Sequence, residues 1–516
     1  MSKHISLAFF IAALLCLPFA DLAIYQVEPW EELSRMGQGL IQPSFPELSI
    51  LANGLMVTVA FALIAVAGAA CLGLLLALVF HSRSVRIFSA SIRAVHELFW
   101  GLLFMQVYGL SATTGVLAIL VPFTGIFAKM FAEIIEQQSS VPHSTLSTKT
   151  DRCSQYVYSW LPQSWPQIVS YTRYRFECAL RSSTILGFIG LPTLGFYLET
   201  AFKQGQYDEA AGLLFSFFIL IASIRWWLHT KFIPPYVLVP LYLCLALLAL
   251  PESPQVYGSS LGQFLTQDIW PKALLSGDIA AAISWYHNQL FEVALPALWD
   301  TLLLSQLALV LTGILVLLFY PWASKAFFPH RLSMIRGFGR SALLVLRSVP
   351  EMIFAFVFLL IFGPSGIPAV LALALHNAGL ISYLLMRHSE QLAVRADAGK
   401  GINHYFYEIT PRVYPHFLSL LMYRWEVIIR ESAILGILGI TTLGFYIDSA
   451  FEDIRYDRAL FLIVISALLN IAVDSLSRRI RALYTSWSCD RVRQSPDIFH
   501  ALDHPVLTSA VRSKPL

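Results

Sequence analysis

Residues Tyr174–Ala210 read YRFECALRSSTILGFIGLPTLGFYLETAFKQGQYDEA, and residues Tyr423–Ala459 read YRWEVIIRESAILGILGITTLGFYIDSAFEDIRYDRA. The two stretches align without a gap at a spacing of 249 positions (423 less 174), and the register holds from Pro162/Pro411 to Ala210/Ala459. Identities fall on charged residues and glycines as well as on apolar positions: Glu177/Glu426, Arg181/Arg430, Gly187/Gly436 and Gly195/Gly444. Upstream the spacing becomes 254 (351 less 97), where Glu97 meets Glu351, Gly109 meets Gly363, Gly125 meets Gly379 and Glu136 meets Glu390. One unit is therefore present twice, and the first copy carries five extra residues between Glu136 and Pro162.

The composition says where such a unit lives. Of 516 residues, 57% are apolar and 13% charged, and the net charge is +3; mean hydropathy is +0.65. A soluble chain carries roughly 25% charge. The shortfall excludes a soluble enzyme, a disordered chain and a nucleic-acid binder working through a basic surface. A bilayer crossing needs ~20 apolar residues. Twelve stretches are read as crossings, near Ile5–Tyr25, Gly54–Phe80, Leu98–Leu110, Gly115–Ile135, Ile168–Gly190, Ala210–Leu228, Ile233–Leu250, Val293–Tyr320, Ala342–Phe362, Ile367–Met386, Phe417–Ile440 and Ala459–Val473. The expected fold is all-α: a polytopic membrane protein of about 12 transmembrane helices. They form two six-helix repeats, parallel because an even number of crossings restores the starting side.

Lys and Arg orient the spans. Arg83, Arg86 and Arg93 follow the second; Lys325, Arg331, Arg336 and Arg340 follow the eighth; Arg225 and Lys231 bracket the link between sixth and seventh; Arg478, Arg479 and Arg481 follow the last. Alternation puts all four groups on the cytoplasmic side, with both termini inside. The expected division is 1–230 for the first half, 231–485 for the second and 486–516 for a cytoplasmic tail. The first span is read as uncleaved, because the seventh occupies its place in the second copy. The six cysteines show no disulfide framework or metal-type spacing, and no metal or cofactor is expected.

Between the tenth and eleventh spans lies EQLAVRADAGKG, 390–401, followed by ITPRVYP, 409–415. This segment resembles the coupling loop of ABC-importer permeases, with Glu390, Ala393, Ala396, Gly399, Gly401 and Pro411 as the matching or neighbouring positions. From Pro411 onward the chain resembles the phosphonate-type branch of those permeases, as does Arg347-Ser-Val-Pro-Glu351. The resemblance covers both halves, so the chain looks like two permease copies fused. It implies a bacterial inner-membrane permease importing phosphonate or a related small phosphorus oxyanion. It also implies a periplasmic binding protein and two cytoplasmic ATPase subunits as partners. No Gly-x4-Gly-Lys-Ser/Thr phosphate loop occurs in the chain, so ATP is expected to be hydrolysed elsewhere. The first-half counterpart of the coupling loop, 137–160, lacks glycine and the alanine pair.

Ionisable residues at membrane depth are functional candidates. Arg181, Arg430, Glu177 and Glu426 are the translocation-path candidates. Two readings stand side by side. Arg181 and Arg430 attract an oxyanion, whose oxygens a guanidinium matches, or Glu177–Arg181 and Glu426–Arg430 pair within their helices at i,i+4. Glu97 and Glu351 open their helices, where a carboxylate suits the helix dipole. The glycines at 187, 190, 195, 436, 439 and 444 either allow close packing on the shared axis or break the helix where it leaves the membrane. An ion-gradient-driven secondary transporter of a small anion is the alternative. A membrane enzyme ranks below both, since the thirteen histidines are scattered.

Overall fold

The computed structural model describes residues 2–25, 29–138, 151–227, 258–327, 333–392 and 403–494, with 242–243, 245–247, 250, 399 and 401. The expected seventh span lies largely outside the described residues, as do Ala393, Ala396, Lys231, Arg331, 139–150 and the end of the tail from 495. Every regular element among the described residues is helical. Two helices, α1 (Ser2–Cys16) and α2 (Pro29–Ile41), precede the first repeat. That repeat is α3 (Leu48–Leu78), α4 (Arg83–Ala94), α5 (Glu97–Tyr108), α6 (Ala112–Glu136), α7 (Leu161–Ile185), α8 (Leu194–Lys203) and α9 (Tyr207–Trp227). After α10 (Ile279–Asn288) the same series returns as α11 (Leu295–Ala323), α12 (Ser333–Ser348), α13 (Glu351–Phe362), α14 (Gly366–Ser389), α15 (Thr410–Ser432), α16 (Leu443–Glu452) and α17 (Tyr456–Gln494).

Among the described residues six helices are long and apolar enough to cross a bilayer, and four further pairs meet that measure together, each bent at a short break. The chain is thus a multi-pass membrane protein. The third and ninth expected crossings are two of these bent pairs, α4–α5 at 88° and α12–α13 at 93°. Twelve residues of α5 rise only ~18 Å, short of the ~30 Å hydrocarbon core. The bend has a local cause in each copy. His96 caps α5 by accepting the Leu98 amide on Nδ1 at 3.1 Å. At the same place Pro350 precedes α13 and has no amide to continue the preceding helix.

Packing shows that the bent pair still returns the chain across the layer. Gly115 of α6 lies against Phe61 of α3, and Gly73 of α3 against Phe127, so α3 and α6 run in the same direction. In the second copy Gly366 meets Leu304, and Ser324 bonds Ser389 at 2.8 Å, giving α11 and α14 the same relation.

A third correspondence links the copies. Thr58 Oγ receives the Leu194 amide at 2.9 Å, and Thr301 Oγ receives the Leu443 amide at 2.9 Å. Each hydroxyl satisfies an orphan amide at the start of α8 or α16. The spacing here is 243 (301 less 58), different again from the two read in the sequence. The glycines of the repeat serve this same region. A Cβ on Gly187 or Gly436 would strike the Phe196 or Phe445 amide, and one on Gly195 or Gly444 the Thr184 or Ala433 carbonyl. Their close approach is to the next helix of the same half, and Gly190 and Gly439, at φ +91° and +81°, end the turn before it.

The two copies exchange their short apolar helices. Val349, Ile353 and Phe356, at and beside α13, share a core with Leu194, Leu198 and Phe202 of α8, and the Phe202 and Phe356 rings lie 5.0 Å apart. Reciprocally, Leu98 and Leu102 of α5 share a core with Leu443, Ile447 and Phe451 of α16. Such a contact, repeated in mirror roles, is what a pseudo-twofold produces. Helix α1, expected to go with the first half, packs on the second: Phe9 stacks edge-on to Trp425 at 5.1 Å, and Tyr414 donates to Ser6 at 2.6 Å.

Candidate functional site: a basic cavity between the halves

A cavity of about 560 Å³ opens where the two copies meet. Equivalent residues from both halves line it: Arg93 and Arg347, Glu97 and Glu351, Tyr174 and Tyr423, Arg175 and Arg424, Glu177 and Glu426, Arg181 and Arg430. The pseudo-twofold therefore passes through it. With Lys129, Arg387 and Glu431, its described lining holds eight Lys or Arg and five Glu. Such an excess of positive charge in a low-dielectric setting favours an anion.

The four path candidates all line this cavity, and the structure gives three of them partners the sequence did not show. Among the described residues neither Glu177–Arg181 nor Glu426–Arg430 forms an ion pair. Glu426 instead receives Arg93 Nη1 at 2.8 Å, while Arg93 Nη2 reaches Asp474 at 2.6 Å. Arg430 donates to the Arg93 carbonyl at 3.1 Å, and Asn470 to the Ala94 carbonyl at 2.8 Å. Both carbonyls are end groups of α4, which lack partners within the helix. A cation there also suits the helix dipole. Arg181 donates to His376 Nε2 at 2.6 Å, while His376 Nδ1 donates to the Val349 carbonyl at 2.9 Å. Glu177 is half-buried and makes no side-chain hydrogen bond or ion pair among the described residues.

Arg93–Glu426–Asp474 ties the first half to the second through nearly buried groups, with 11% of the Arg93 side chain exposed. Removing Arg93 leaves Glu426 without its cation and Asp474 with Arg478 alone, at 2.9 Å. We expect Arg93→Ala to destabilise the chain by about 3 kcal/mol or more, read as a lower melting temperature of the purified protein. Arg93→Ala combined with Glu426→Gln and Asp474→Asn should recover most of the loss.

Unmet hydrogen-bonding capacity lies on Arg430 Nε among the path candidates and also on two residues outside that set. Arg175 Nε, and Nε and Nη2 of Arg424, are buried without a hydrogen bond. The Arg175 guanidinium lies over the Phe123 ring at 4.7 Å, a contact that orients it without consuming its donors. Both arginines were visible as a repeated pair; what the sequence lacked was the direction of their side chains. Glu97 and Glu351 do open α5 and α13, and their carboxylates also face the cavity. Glu97 accepts from Ser182 at 2.6 Å.

The halves are not equivalent around the cavity. Where the first has Pro122, Phe123 and Ser182, the second has His376, Asn377 and Glu431. Glu351, His376 and Glu431 bring ligand-type atoms within 4.8 Å of one another. A cation would compete there with the Arg181 guanidinium already on His376 Nε2, so the donor set fits an anion-binding arginine better than a metal.

The described coupling-loop candidates, Glu390, Gly399, Gly401 and Pro411, are absent from the cavity lining. Glu390 accepts from Arg340 at 2.6 Å and from the Lys325 amide at 2.9 Å. Gly399 is exposed, Gly401 has φ +64°, and Pro411 sits in the first turn of α15. A wide helical turn, His404–Ile409, leads into α15, and its first-half counterpart Tyr156–Trp160 leads into α7. Helical structure therefore survives at the end of the divergent first-half loop.

No family model matches the chain, and no solved structure matches it. The phosphate-import permease protein PhnE of Mycolicibacterium smegmatis is 27% identical over 414 residues, 76% of this chain and 76% of that protein. The phosphite transport system permease protein PtxC of Stutzerimonas stutzeri is 30% identical over 189 residues, 35% of this chain but 68% of its own length. A relative that fills about a third of the chain while being matched over most of itself agrees with two permease copies in one polypeptide. The relatives are transport permeases rather than enzymes, and with the repeated helical unit they show that the chain belongs to the phosphonate- and phosphite-type family of ABC importer permeases.

Proposed function

We propose that the chain moves a small phosphorus oxyanion, a phosphonate, phosphite or phosphate, inward through the cavity between its halves. The observation that carries this is the cavity lining, eight Lys or Arg against five Glu with donors on Arg175 and Arg424 unmet. Guanidinium forks match the oxygens of such anions. In this reading 1–230 and 231–485 are the two halves, 486–516 is a tail, and both termini lie in the cytoplasm of a bacterial inner membrane. Two separate ATPase subunits dock at 137–160 and 390–411, and a binding protein delivers the anion from outside. Each coupling segment then moves its half as a rigid body. Arg181 and Arg430 position the site through His376 and the end of α4, while Glu177 and Glu426 complete its charge pattern.

Reconstitution tests this. Proteoliposomes holding the chain with its ATPase and binding protein should accumulate radiolabelled phosphonate, phosphite or phosphate only when ATP is supplied on the ATPase side. Uptake that persists without ATP, or failure with all three anions, would refute the proposal.

A further inference from the structure

The cavity leaves acceptors unmet as well as donors. Glu351 lines it, is 3% exposed, and its Oε2 has no hydrogen-bond partner. His376 Nε2 stands 3.9 Å from that oxygen, and Glu431 offers a carboxylate oxygen within 4.8 Å of the same cluster. That nitrogen accepts from Arg181, because the His376 proton lies on Nδ1 toward Val349. Glu431 accepts from Asn377 at 3.1 Å and stands 4.0 Å from Arg424. Arg181, on His376, and Arg424, beside Glu431, thus bring arginines of both halves to this cluster, in which Glu351 holds a buried carboxylate oxygen with no hydrogen-bond donor among the described residues.

A fully deprotonated oxyanion meets repulsion at such an oxygen. An anion bearing a hydroxyl meets an acceptor. A phosphoryl group releases its second proton with a pKa of about 6, so phosphonates and phosphite carry a P–OH on about half of their molecules at about pH 6 and about a tenth at about pH 7, while phosphate keeps one proton more. Sulfate carries none. Resting on the oxyanion reading above, we infer that this cavity selects anions that bear a hydroxyl, with Glu351 accepting the P–OH proton while Arg181 and Arg424 hold the charged oxygens. Among the described lining residues, Glu351 is the carboxylate with a fully buried oxygen left unmet. Its first-half counterpart, Glu97, already receives the Ser182 hydroxyl. A site built to hydrogen-bond a ligand hydroxyl rejects the analogue without it, because its own polar group is left unpaired.

The test reads ³¹P line broadening of methylphosphonate at about pH 6, where the hydroxyl-bearing monoanion is well populated, on adding the purified full-length chain in detergent. Sulfate and the monomethyl ester of methylphosphonate serve as competitors. The ester keeps a single negative charge and loses the hydroxyl, so it separates the hydroxyl from the charge. Wild type should bind methylphosphonate at least about tenfold more tightly than either competitor. Glu351→Gln, whose amide can donate to a bare oxygen, should still bind methylphosphonate while bringing sulfate to within about twofold. Sulfate or ester competing within about twofold on wild type would overturn the inference and leave the oxyanion path standing. So would unchanged discrimination in Glu351→Gln. Should that variant fail to fold, the wild-type comparison decides alone. If methylphosphonate, phosphite and phosphate all leave their lines unbroadened with wild type, the oxyanion path itself fails, and this inference with it.

Discussion

Replacing Arg175 and Arg424 together by glutamine should reduce uptake by about a hundredfold or more. Each guanidinium buries donors that make no hydrogen bond among the described residues, Arg424 having only the longer 4.0 Å approach to Glu431, so an anion's oxygens are the groups that would satisfy them. A hydrogen bond to a charged group contributes about 1.5–3 kcal/mol. That corresponds to about tenfold to a hundredfold for each arginine. The single variants should therefore lose about tenfold each. The Lys variants should fall between wild type and Gln, because lysine keeps the charge but not the planar fork. Initial uptake rates in proteoliposomes, compared at equal amounts of assembled importer, read the effect. Uptake of the double variant within a factor of about two of wild type would remove these residues from the path.

Gly444→Ala should abolish the folded protein, and Gly195→Ala should do the same through the first copy. A methyl group at 444 would occupy the place of the Ala433 carbonyl oxygen, and one at 195 that of Thr184. Backbone cannot yield as a flexible side chain does, so overpacking here should cost about 3 kcal/mol or more. It would also displace α16 or α8, whose first amide is held by Thr301 or Thr58. Detergent-solubilised material analysed by size-exclusion chromatography should lose its monodisperse peak. Gly337→Ala, where no heavy atom lies within 4 Å, should retain it. Normal yields from Gly444→Ala would mean that the turn after α15 is looser than the packing implies.

How much of this could be read in the amino acids follows from what each feature depends on. The repeat at 249 and 254 was legible because charged residues and glycines recur in register, and such residues are rarely interchangeable. The correspondence of Thr58 with Thr301 was not, since each is a lone hydroxyl in a generic apolar run. Counting apolar residues counted α5 and α13 as crossings. The right-angle bends depend on a histidine cap in one copy and a proline in the other, and only the proline is a recognisable breaker. The Glu426–Arg430 spacing suggested an intrahelical pair, yet the better partner, Arg93, lies 333 positions away in sequence, and no local pattern points to it. Arg175 and Arg424 stood in plain view, but helical spacing does not say which charged face a membrane helix turns toward its twin. The polar trio His376, Asn377 and Glu431 breaks the repeat, and a departure from symmetry was the one signal that could have marked it.

Transport between the two copies can be measured directly at Cys178. It lines the cavity opposite its pseudo-equivalent Val427 and is a free thiol. With the other five cysteines replaced by serine or alanine, the importer would be exposed to a small negatively charged methanethiosulfonate reagent during ATP-driven turnover. Modification of Cys178 should block uptake, saturating phosphonate should slow the modification, and a chain with Cys178→Val and Val427→Cys should behave alike. Complete labelling of Cys178 with uptake and substrate affinity unchanged would contradict a path through this cavity.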